Sequence, residues 1–193
     1  PSLHLDQHKV VVLVPCYNEE ATVTKVVGDF RRALPEARVV VLDNGSSDAT
    51  AEVAAAAGAA VMRVELKGKG SVVRGAFADI EAETYVLVDG DDTYDASFAP
   101  EMIRCLRARR LDMVVAARES TSTHAYRAGH VWGNRLLTGC VSWLFGHKFD
   151  DMLSGYRVFS RRYVKSFPAH AVGFEIETEL NVHALQLRVP VAE

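Results

Sequence analysis

The chain has 193 residues, of which 49% are hydrophobic, so it is long enough for one domain with a substantial core. A formal net charge of −3 argues against a nucleic-acid-binding protein, and three widely spaced cysteines, Cys16, Cys105 and Cys140, argue against a disulfide framework or a zinc site. We expect a cytoplasmic protein, because the sequence contains neither a signal peptide nor an apolar run of membrane-spanning length.

Strands and helices alternate along the first 117 residues. Short runs of β-branched and other apolar residues predict strands at Lys9–Val14, Arg38–Asp43, Ala59–Val64, Thr84–Asp89 and Asp112–Ala117. The stretches between them predict helices at Glu20–Ala33, Asp48–Ala57, Ser71–Glu81 and Ser97–Arg109. This alternation predicts an α/β fold with a mostly parallel central sheet and helices on both faces.

The pattern changes in the last third of the chain. Residues Glu119–Arg127 predict a polar loop, whereas Gly129–Phe145 and Glu175–Leu187 predict helices. The stretch between 155 and 167 has no pattern that assigns its structure. No linker or repeat divides the chain, so we expect a single domain over residues 1–193. Its last residues have the pattern of a strand, and we therefore expect the natural protein to continue beyond Glu193.

Polar side chains follow four of the predicted strands at the point where each strand ends. They lie in the segments 15–20, 43–48, 89–92 and 117–118. The carboxyl ends of parallel strands meet at one edge of a sheet, where open α/β sheets bind ligands. Each segment alone could serve as a turn or a helix cap. Their occurrence together at one edge is what indicates a binding site.

The strongest single signal is the pair Asp89 and Asp91, which stands directly after a buried strand. Two carboxylates at this spacing can offer hard oxygen ligands to one divalent cation. A calcium loop is excluded, because Tyr94 stands where such a loop requires glycine and Pro100 where it requires glutamate. The pair therefore predicts a cation that holds a diphosphate.

A second candidate phosphate site is the glycine-rich stretch that begins at Gly68 and contains Lys69 and Gly70. It is not a Walker A motif, since no Lys-Ser or Lys-Thr follows Gly75. Glycines before a helix can expose backbone N–H groups to a phosphate, and the lysine adds charge. The alternative is a plain loop that leads into a helix.

The motifs at 14–20, 42–50 and 88–92 resemble those of the family-2 glycosyltransferases with the GT-A fold, a Rossmann-like fold of nucleotide-diphospho-sugar transferases. The later segments 151–157 and 173–180 resemble the branch that contains dolichyl-phosphate mannose synthase and bacterial polyprenyl-phosphate glycosyltransferases. Two positions depart from the pattern. Asn44 stands where many members carry a second aspartate, and Thr93 stands where several synthases have glutamine.

The resemblance implies a role for each matching residue. The residues around the nucleotide base and ribose would be Pro15, Tyr17, Glu19 and Asp43, with Lys69 near the nucleotide. Asp89 and Asp91 would hold Mg²⁺ or Mn²⁺ on the donor diphosphate. The arginines facing phosphate groups of donor and acceptor would be Arg118, Arg127 and Arg157. The catalytic set would be Asp91, Arg118, Arg157 and Asp151.

The expected reaction is transfer of a hexose, with inversion, from a UDP- or GDP-linked sugar (UDP-glucose or GDP-mannose type) to a polyprenyl phosphate. Residues 118–165 carry eight basic and three acidic side chains, which favours an anionic acceptor and contact with the cytoplasmic face of a membrane. Aromatic residues in the helix Gly129–Phe145 could touch a lipid, although ordinary core packing explains them equally well.

Two alternatives stay open. A sugar or small-molecule hydroxyl acceptor would need a general base, for which Asp150 or Asp151 is the candidate. With a lipid phosphate these aspartates would instead orient Arg157 or a loop. The chain could also be a non-catalytic domain that binds a nucleotide sugar without turnover.

Overall fold

The computed structural model describes residues 8–117, 153–168 and 171–193 as an α/β structure. Its strands are β1 His8–Cys16, β2 Arg38–Asp43, β3 Ala60–Arg63, β4 Ala82–Leu87, β5 Met113–Val115, β6 Arg157–Ser160 and β7 Val191–Ala192. Its helices are α1 Val23–Ala33, α2 Thr50–Ala56, α3 Lys69–Asp79, α4 Ala99–Ala108, α5 Arg161–Ser166 and α6 Ile176–Leu187, with a 3₁₀ turn at Ala96–Phe98 before α4. The predicted loop Glu119–Arg127 and helix Gly129–Phe145 lie outside the described residues.

The seven strands form one sheet in the order β3-β2-β1-β4-β6-β5-β7. β6 runs antiparallel to its neighbours β4 and β5, and the other neighbouring pairs are parallel, which confirms the prediction of a mostly parallel sheet. Cys16 at the end of β1 pairs with Asp43 at the end of β2, so these strands end level with each other. Between β1 and β4 the strand order reverses, and such a reversal places a crevice at the carboxyl edge.

The position of β6 corrects one expectation from the sequence. In a parallel sheet built from successive strands, the fourth and fifth strands would end side by side, but β6 lies between them. β5 still runs in the direction of β4, since two successive antiparallel pairings restore the direction. β6 has only four residues, too few to show the alternation that identifies a strand in a sequence.

Side chains of alternate residues on β1 supply both faces of the core. Val11 and Leu13 are buried in the cluster that contains α3, α5 and α6, whereas Val12 and Val14 are buried in the cluster that contains α1 and α4. This two-sided burial explains why the strands are almost continuously apolar, and it confirms helices on both faces. No helix in the described part of the chain is both long and apolar enough to cross a membrane.

The helices begin one to three residues away from their predicted starts, and two of these differences affect the carboxyl edge of the sheet. α1 begins at Val23 instead of Glu20, because the Glu19 carbonyl accepts hydrogen bonds from Thr22 N (3.1 Å) and Val23 N (2.9 Å) in a preceding turn. α3 begins at Lys69 instead of Ser71, which places this lysine in the first turn of the helix.

Candidate functional site

A cavity of about 560 Å³ opens where β1 and β4 end. Its lining consists of Pro15, Cys16, Tyr17, Glu19, Asn44, Lys67, Gly68, Lys69, Val72, Asp89, Gly90, Asp91 and Phe174. The structure thus brings together six of the residues singled out in the sequence: Pro15, Tyr17, Glu19, Lys69, Asp89 and Asp91. These residues come from three separate parts of the chain and meet only because the strands are parallel.

The loop after β1 is attached to the loop after β2 by hydrogen bonds. Asn18 has a φ of 57°, and its Oδ1 accepts from Ser47 N at 2.8 Å, while its backbone N–H donates to Ser46 Oγ at 3.0 Å. The backbone N–H of Glu19 donates to Thr50 Oγ1 at 2.8 Å. These bonds hold the aromatic ring of Tyr17, which is 54% exposed, at the cavity.

Asp43 and Asn44, at the end of β2, are buried. Asp43 is absent from the residues that line the cavity, and its Oδ1 accepts from Ser46 N at 3.2 Å within its own loop. The Asn44 amide donates to the carbonyls of Val64 (3.3 Å) and Leu66 (2.8 Å), and its Oδ1 accepts from Gly68 N at 2.7 Å. An aspartate carboxylate could not donate the hydrogen bonds to Val64 and Leu66. The asparagine at position 44 therefore fixes the segment that leads into α3.

Asp89 and Asp91 lie in different environments although they belong to one motif. Asp91 is exposed at the cavity, and its Oδ1 accepts from Thr93 N at 3.1 Å. The side chain of Asp89 is only 28% exposed, and its Oδ1 lies 2.6 Å from Lys69 Nζ. Burial raises the pKa of Asp89 above its ordinary value, and the attraction of Lys69 opposes that rise.

Gly155 packs directly against the Asp89 carboxylate. A Cβ atom on this residue would lie 2.6 Å from the Asp89 carboxyl carbon, closer than side chains approach each other. The backbone N–H of Gly155 donates to the hydroxyl of Tyr94 at 2.7 Å, which fixes this close approach. Only glycine therefore leaves Asp89 in its present position.

Lys69 is paired with a second carboxylate, that of Glu177 on α6. The side chains of Lys69 and Glu177 are 9% and 8% exposed. Burial alone would lower the pKa of Lys69, but the charges of Asp89 and Glu177 outweigh it and the pKa is raised, so the ammonium stays charged at neutral pH. Glu177 lies in the segment 173–180 that carries part of the family resemblance, but no role was assigned to it from the sequence, because an acidic residue in the first turn of a helix is usually explained by the helix dipole.

The glycines before and within the start of α3 have a different use from the one expected. Gly68 N donates to Asn44 Oδ1, while Gly70 N and Ser71 N each lie 3.2 Å from the carbonyls of Gly173 and Val172, respectively. These amides are already satisfied by the protein, which corrects the expectation that they are open to a phosphate. The absence of side chains at 68 and 70 lets segment 171–173 approach the helix.

Arg157 was expected to face a phosphate, and its placement corrects this expectation. Its guanidinium is fully buried, donates from Nε to the Ser154 carbonyl at 2.9 Å, and donates from Nη1 to Asn181 Oδ1 at 2.7 Å. The antiparallel β6 begins with Arg157 at the level of Leu87, but the side chain reaches Asn181 on α6 instead of the cavity. Arg118, Arg127 and Asp151 lie outside the described residues.

Cys16 also lines the cavity, which raises the question of a nucleophilic thiol. Burial raises the pKa of the Cys16 thiol far above its ordinary value, and the charge of Glu19 adds to this effect. The thiol therefore stays protonated, and Cys16 contributes by packing.

The donor atoms at the cavity fit a hard divalent cation. Asp89 and Asp91 offer carboxylate oxygens, which Mg²⁺ and Mn²⁺ prefer. Within residues 8–117, 153–168 and 171–193, no group of three or more His, Cys, Asp or Glu side chains is arranged to hold a metal ion. The described residues therefore offer such a cation at most two side-chain ligands of these types.

Several known proteins are similar in sequence to this chain over most of its length. RfbJ of Shigella flexneri is 53% identical over 122 residues, which is 63% of this chain and 95% of that protein. Two relatives come from Haloferax volcanii. Glycosyltransferase AglJ is 37% identical over 90% of this chain, and a dolichyl-phosphate hexose transferase is 30% identical over 79%. The matched regions span 57% of AglJ and 66% of the dolichyl-phosphate hexose transferase.

Among solved structures, the chain is similar to glucosyl-3-phosphoglycerate synthase from Mycobacterium tuberculosis. The complex of that enzyme with Mn²⁺, uridine diphosphate and glucosyl-3-phosphoglycerate has a TM-score of 0.74 and 25% sequence identity, covering 96% of this chain and 68% of the enzyme. The family model for glycosyl transferase family 2 matches residues 11–167, which include both the loop after β1 and the Asp89–Asp91 motif. The sequence match and the shared GT-A fold agree, and the chain belongs to glycosyl transferase family 2.

Proposed function

We propose that this chain is a metal-dependent hexosyltransferase that moves a hexose from a nucleotide sugar to a polyprenyl phosphate with inversion at the anomeric carbon. The observation that carries the proposal is the content of one cavity. It combines an exposed aromatic ring, Tyr17, with the carboxylates of Asp89 and Asp91 and the buried ammonium of Lys69. An aromatic ring suits a nucleobase, carboxylates suit a cation, and an ammonium suits a phosphate.

The cavity has the size of a small-molecule site, since such sites usually measure about 300–1,000 Å³. Tyr17 and Pro15 would lie against the base, and Glu19 would lie near the ribose. Lys67 and Lys69 would face the diphosphate. Asp43 would act indirectly, by fixing the conformation of its own loop. Uridine diphosphate in the similar glucosyl-3-phosphoglycerate synthase supports a nucleotide donor and makes UDP the first candidate.

Asp89 and Asp91 would hold Mg²⁺ or Mn²⁺, and a bound cation supplies Lewis-acid stabilisation of the departing diphosphate. Mn²⁺ together with uridine diphosphate in the similar structure supports this assignment. Lys69 contributes a positive charge in a poorly solvated place, where it acts more strongly than it would in water.

The acceptor is assigned from chemistry. A phosphate oxygen of the lipid attacks the anomeric carbon, the bond from that carbon to the donor diphosphate breaks, and the nucleoside diphosphate leaves with the electron pair. One displacement inverts the configuration, and an acceptor that arrives as an anion needs no general base. The dolichyl-phosphate hexose transferase among the relatives supports a lipid phosphate.

A hydroxyl acceptor is the second candidate, because the similar structure contains glucosyl-3-phosphoglycerate. In that case Asp151 or Asp150 would be the base, and Asp151→Asn would abolish transfer while leaving nucleotide binding intact. A domain that binds without turnover would show metal-dependent nucleotide binding and no transfer to either acceptor.

The test combines binding with transfer. We expect calorimetric titration with Mn²⁺ to show binding of UDP or GDP that EDTA removes, and we expect the corresponding sugar nucleotide to label polyprenyl phosphate rather than 3-phosphoglycerate. Asp91→Asn should weaken metal-dependent binding by about tenfold or more, since a neutral amide is a poor ligand for a hard cation.

Asp92→Asn is the matched control. Asp92 belongs to the same turn but is absent from the cavity lining and pairs with Lys25 at 2.6 Å. Its φ of 61° suits asparagine equally well, so the variant should bind like the natural protein. Nucleotide affinity that EDTA or Asp91→Asn leaves unchanged would contradict the metal assignment. Labelling of 3-phosphoglycerate alone would contradict the lipid acceptor.

A further inference from the structure

A single ammonium group is shared by two carboxylates at the inner end of the cavity. Lys69 Nζ lies 2.6 Å from Asp89 Oδ1 and also contacts Glu177 Oε1. Glu177 is the more buried of the two carboxylates, with 8% of its side chain exposed against 28% for Asp89. Lys69 therefore stands between a carboxylate at the cavity and one behind it.

This arrangement creates a competition for Asp89. A divalent cation ligated by Oδ1 would repel the ammonium that now contacts the same oxygen, so Lys69 must withdraw when the cation binds. We propose that Glu177 is a positioning residue for donor binding, because it holds Lys69 when a divalent cation takes Asp89. The inference rests on the proposed metal-dependent donor site and identifies the residue that makes this exchange possible.

Glu177 is suited to this role because it is firmly placed. It lies in the first turn of α6, between Ile176 and Leu180, which are both fully buried. The same helix is attached to β6 through Asn181 and Arg157. Lys69 has four rotatable side-chain bonds and can move, whereas α6 cannot follow without disturbing the core. The ring of Phe174, with its centroid 6.0 Å from Nζ, adds a weak attraction.

When the Glu177 charge is removed, Lys69 can take either of two positions, and both weaken binding of the cation. The ammonium can stay on Asp89 and exclude the metal, or it can leave Asp89 and remain unpaired where only 9% of its side chain is exposed. An unpaired charge in such a place is costly. We therefore expect Glu177→Gln to weaken Mn²⁺ binding even though Glu177 is not itself a metal ligand.

The experiment measures Mn²⁺ affinity by electron paramagnetic resonance, first with Mn²⁺ alone and then with the nucleotide, UDP or GDP, that binds in the calorimetric titration. Glu177→Gln should weaken Mn²⁺ binding by about tenfold, a typical size for coupling between neighbouring sites. Lys69→Gln should strengthen the binding of Mn²⁺ alone, because the competing ammonium is gone, while it weakens nucleotide binding. In the Lys69→Gln background, Glu177→Gln should change Mn²⁺ affinity by less than about twofold.

Glu83→Gln is the matched control, because it removes the same charge from an exposed position near the start of β4, the strand that leads to Asp89. It should leave Mn²⁺ affinity unchanged. Equal Mn²⁺ affinity for Glu177→Gln and the natural protein would overturn the inference. So would an equal loss with and without Lys69, since Glu177 would then act on the metal directly or through the fold.

The experiment distinguishes failure of the proposed function from failure of the Glu177 inference. Absence of Mn²⁺ binding by the natural protein, with and without nucleotide, would overturn the metal-dependent donor site and this inference with it. Unchanged binding in Glu177→Gln overturns the inference alone. Should Glu177→Gln lose its circular dichroism signal for folded structure, Lys69→Gln decides: Mn²⁺ affinity that fails to rise in that variant overturns the inference.

Discussion

The two walls of the cavity are held by different kinds of contact. The rim loops, residues 17–22, 44–50 and 89–93, are joined by hydrogen bonds from side chains, such as Thr22 Oγ1 to the Gly90 carbonyl at 2.7 Å. The inner wall is the start of α3 together with segment 171–177. It is held by backbone contacts across Gly68 and Gly70 and by the buried pair of Lys69 and Glu177.

This difference predicts how each wall responds to change. Several separate hydrogen bonds join the rim loops, so loss of one of them leaves the others in place. In the inner wall, the backbones of α3 and of segment 171–173 lie close together because Gly68 and Gly70 have no side chains. A methyl group added at either glycine would clash with the opposite backbone. We therefore expect substitutions in the inner wall to have the larger effects.

The largest effect is expected for Gly70→Ala. The new Cβ would clash with the Ala171 carbonyl oxygen and lie 2.8 Å from the Ala171 carbonyl carbon, and neither atom can rotate away because both belong to the backbone. The variant should lose about 3 kcal/mol of the free energy of unfolding, as overpacked sites do. Urea denaturation followed by circular dichroism measures this loss, and nucleotide binding should fall with it.

Gly75→Ala is the control in the same helix. A Cβ there would have Met62 Cε as its nearest neighbour at 3.7 Å, an ordinary contact. Replacing glycine by alanine inside a helix should stabilise the protein by about 0.5–1 kcal/mol. A similar loss in both variants would mean that the glycines of α3 tolerate no added methyl group in general, and the close approach of segment 171–173 would not be the cause.

The difference between the two walls also explains which features of the molecule could be predicted from the sequence. The strand Arg38–Asp43 was predicted with the bounds it has in the structure, because a parallel strand buried on both faces is apolar throughout. The rim loops were recognisable because Asp89 and Asp91 follow such a strand directly. These signals are local, and each can be found within a few neighbouring residues.

Features of the inner wall depend on residues far apart in the sequence. Lys69 and Glu177 are 108 positions apart, and nothing near either residue indicates the other. The glycines before α3 suggested a phosphate loop, whereas their partner is the segment around Val172. Arg157 resembled a phosphate ligand, because a sequence does not show that Asn181 accepts its hydrogen bond inside the protein.

An intermediate effect is expected for Asn44→Asp, at the position where the two walls are connected. The change replaces the amide that donates to the Val64 and Leu66 carbonyls by a carboxylate that faces them. Unpaired buried groups of this kind cost about 1–3 kcal/mol. Nucleotide binding should also weaken, because the segment held by Asn44 leads to Lys67 and Lys69. Urea denaturation measures the loss of stability, and calorimetric titration measures the loss of nucleotide affinity.

Asn18→Asp makes the same chemical change at an asparagine that is used as an acceptor, from Ser47 N and Ser47 Oγ. A carboxylate accepts these bonds equally well, and aspartate tolerates the φ of 57° found at this position. Asn18→Asp should therefore cost much less than Asn44→Asp. Equal costs for the two variants would show that added charge, and not lost donation, is responsible.

The smallest effect is expected for Thr22→Val in the rim loops. Valine has the shape of threonine but cannot donate to the Gly90 carbonyl, so this single link between the first and third rim loops is lost. A hydrogen bond of this kind contributes about 1 kcal/mol. Nucleotide affinity should change by no more than about twofold, because the pairing of β1 with β4 still holds the first and third rim loops side by side. Thr24→Val, at an exposed position in α1, gives the cost of the same substitution without a lost link. A loss in Thr22→Val as large as that in Gly70→Ala would mean that the rim loops depend on one bond, and the two walls would then not differ in kind.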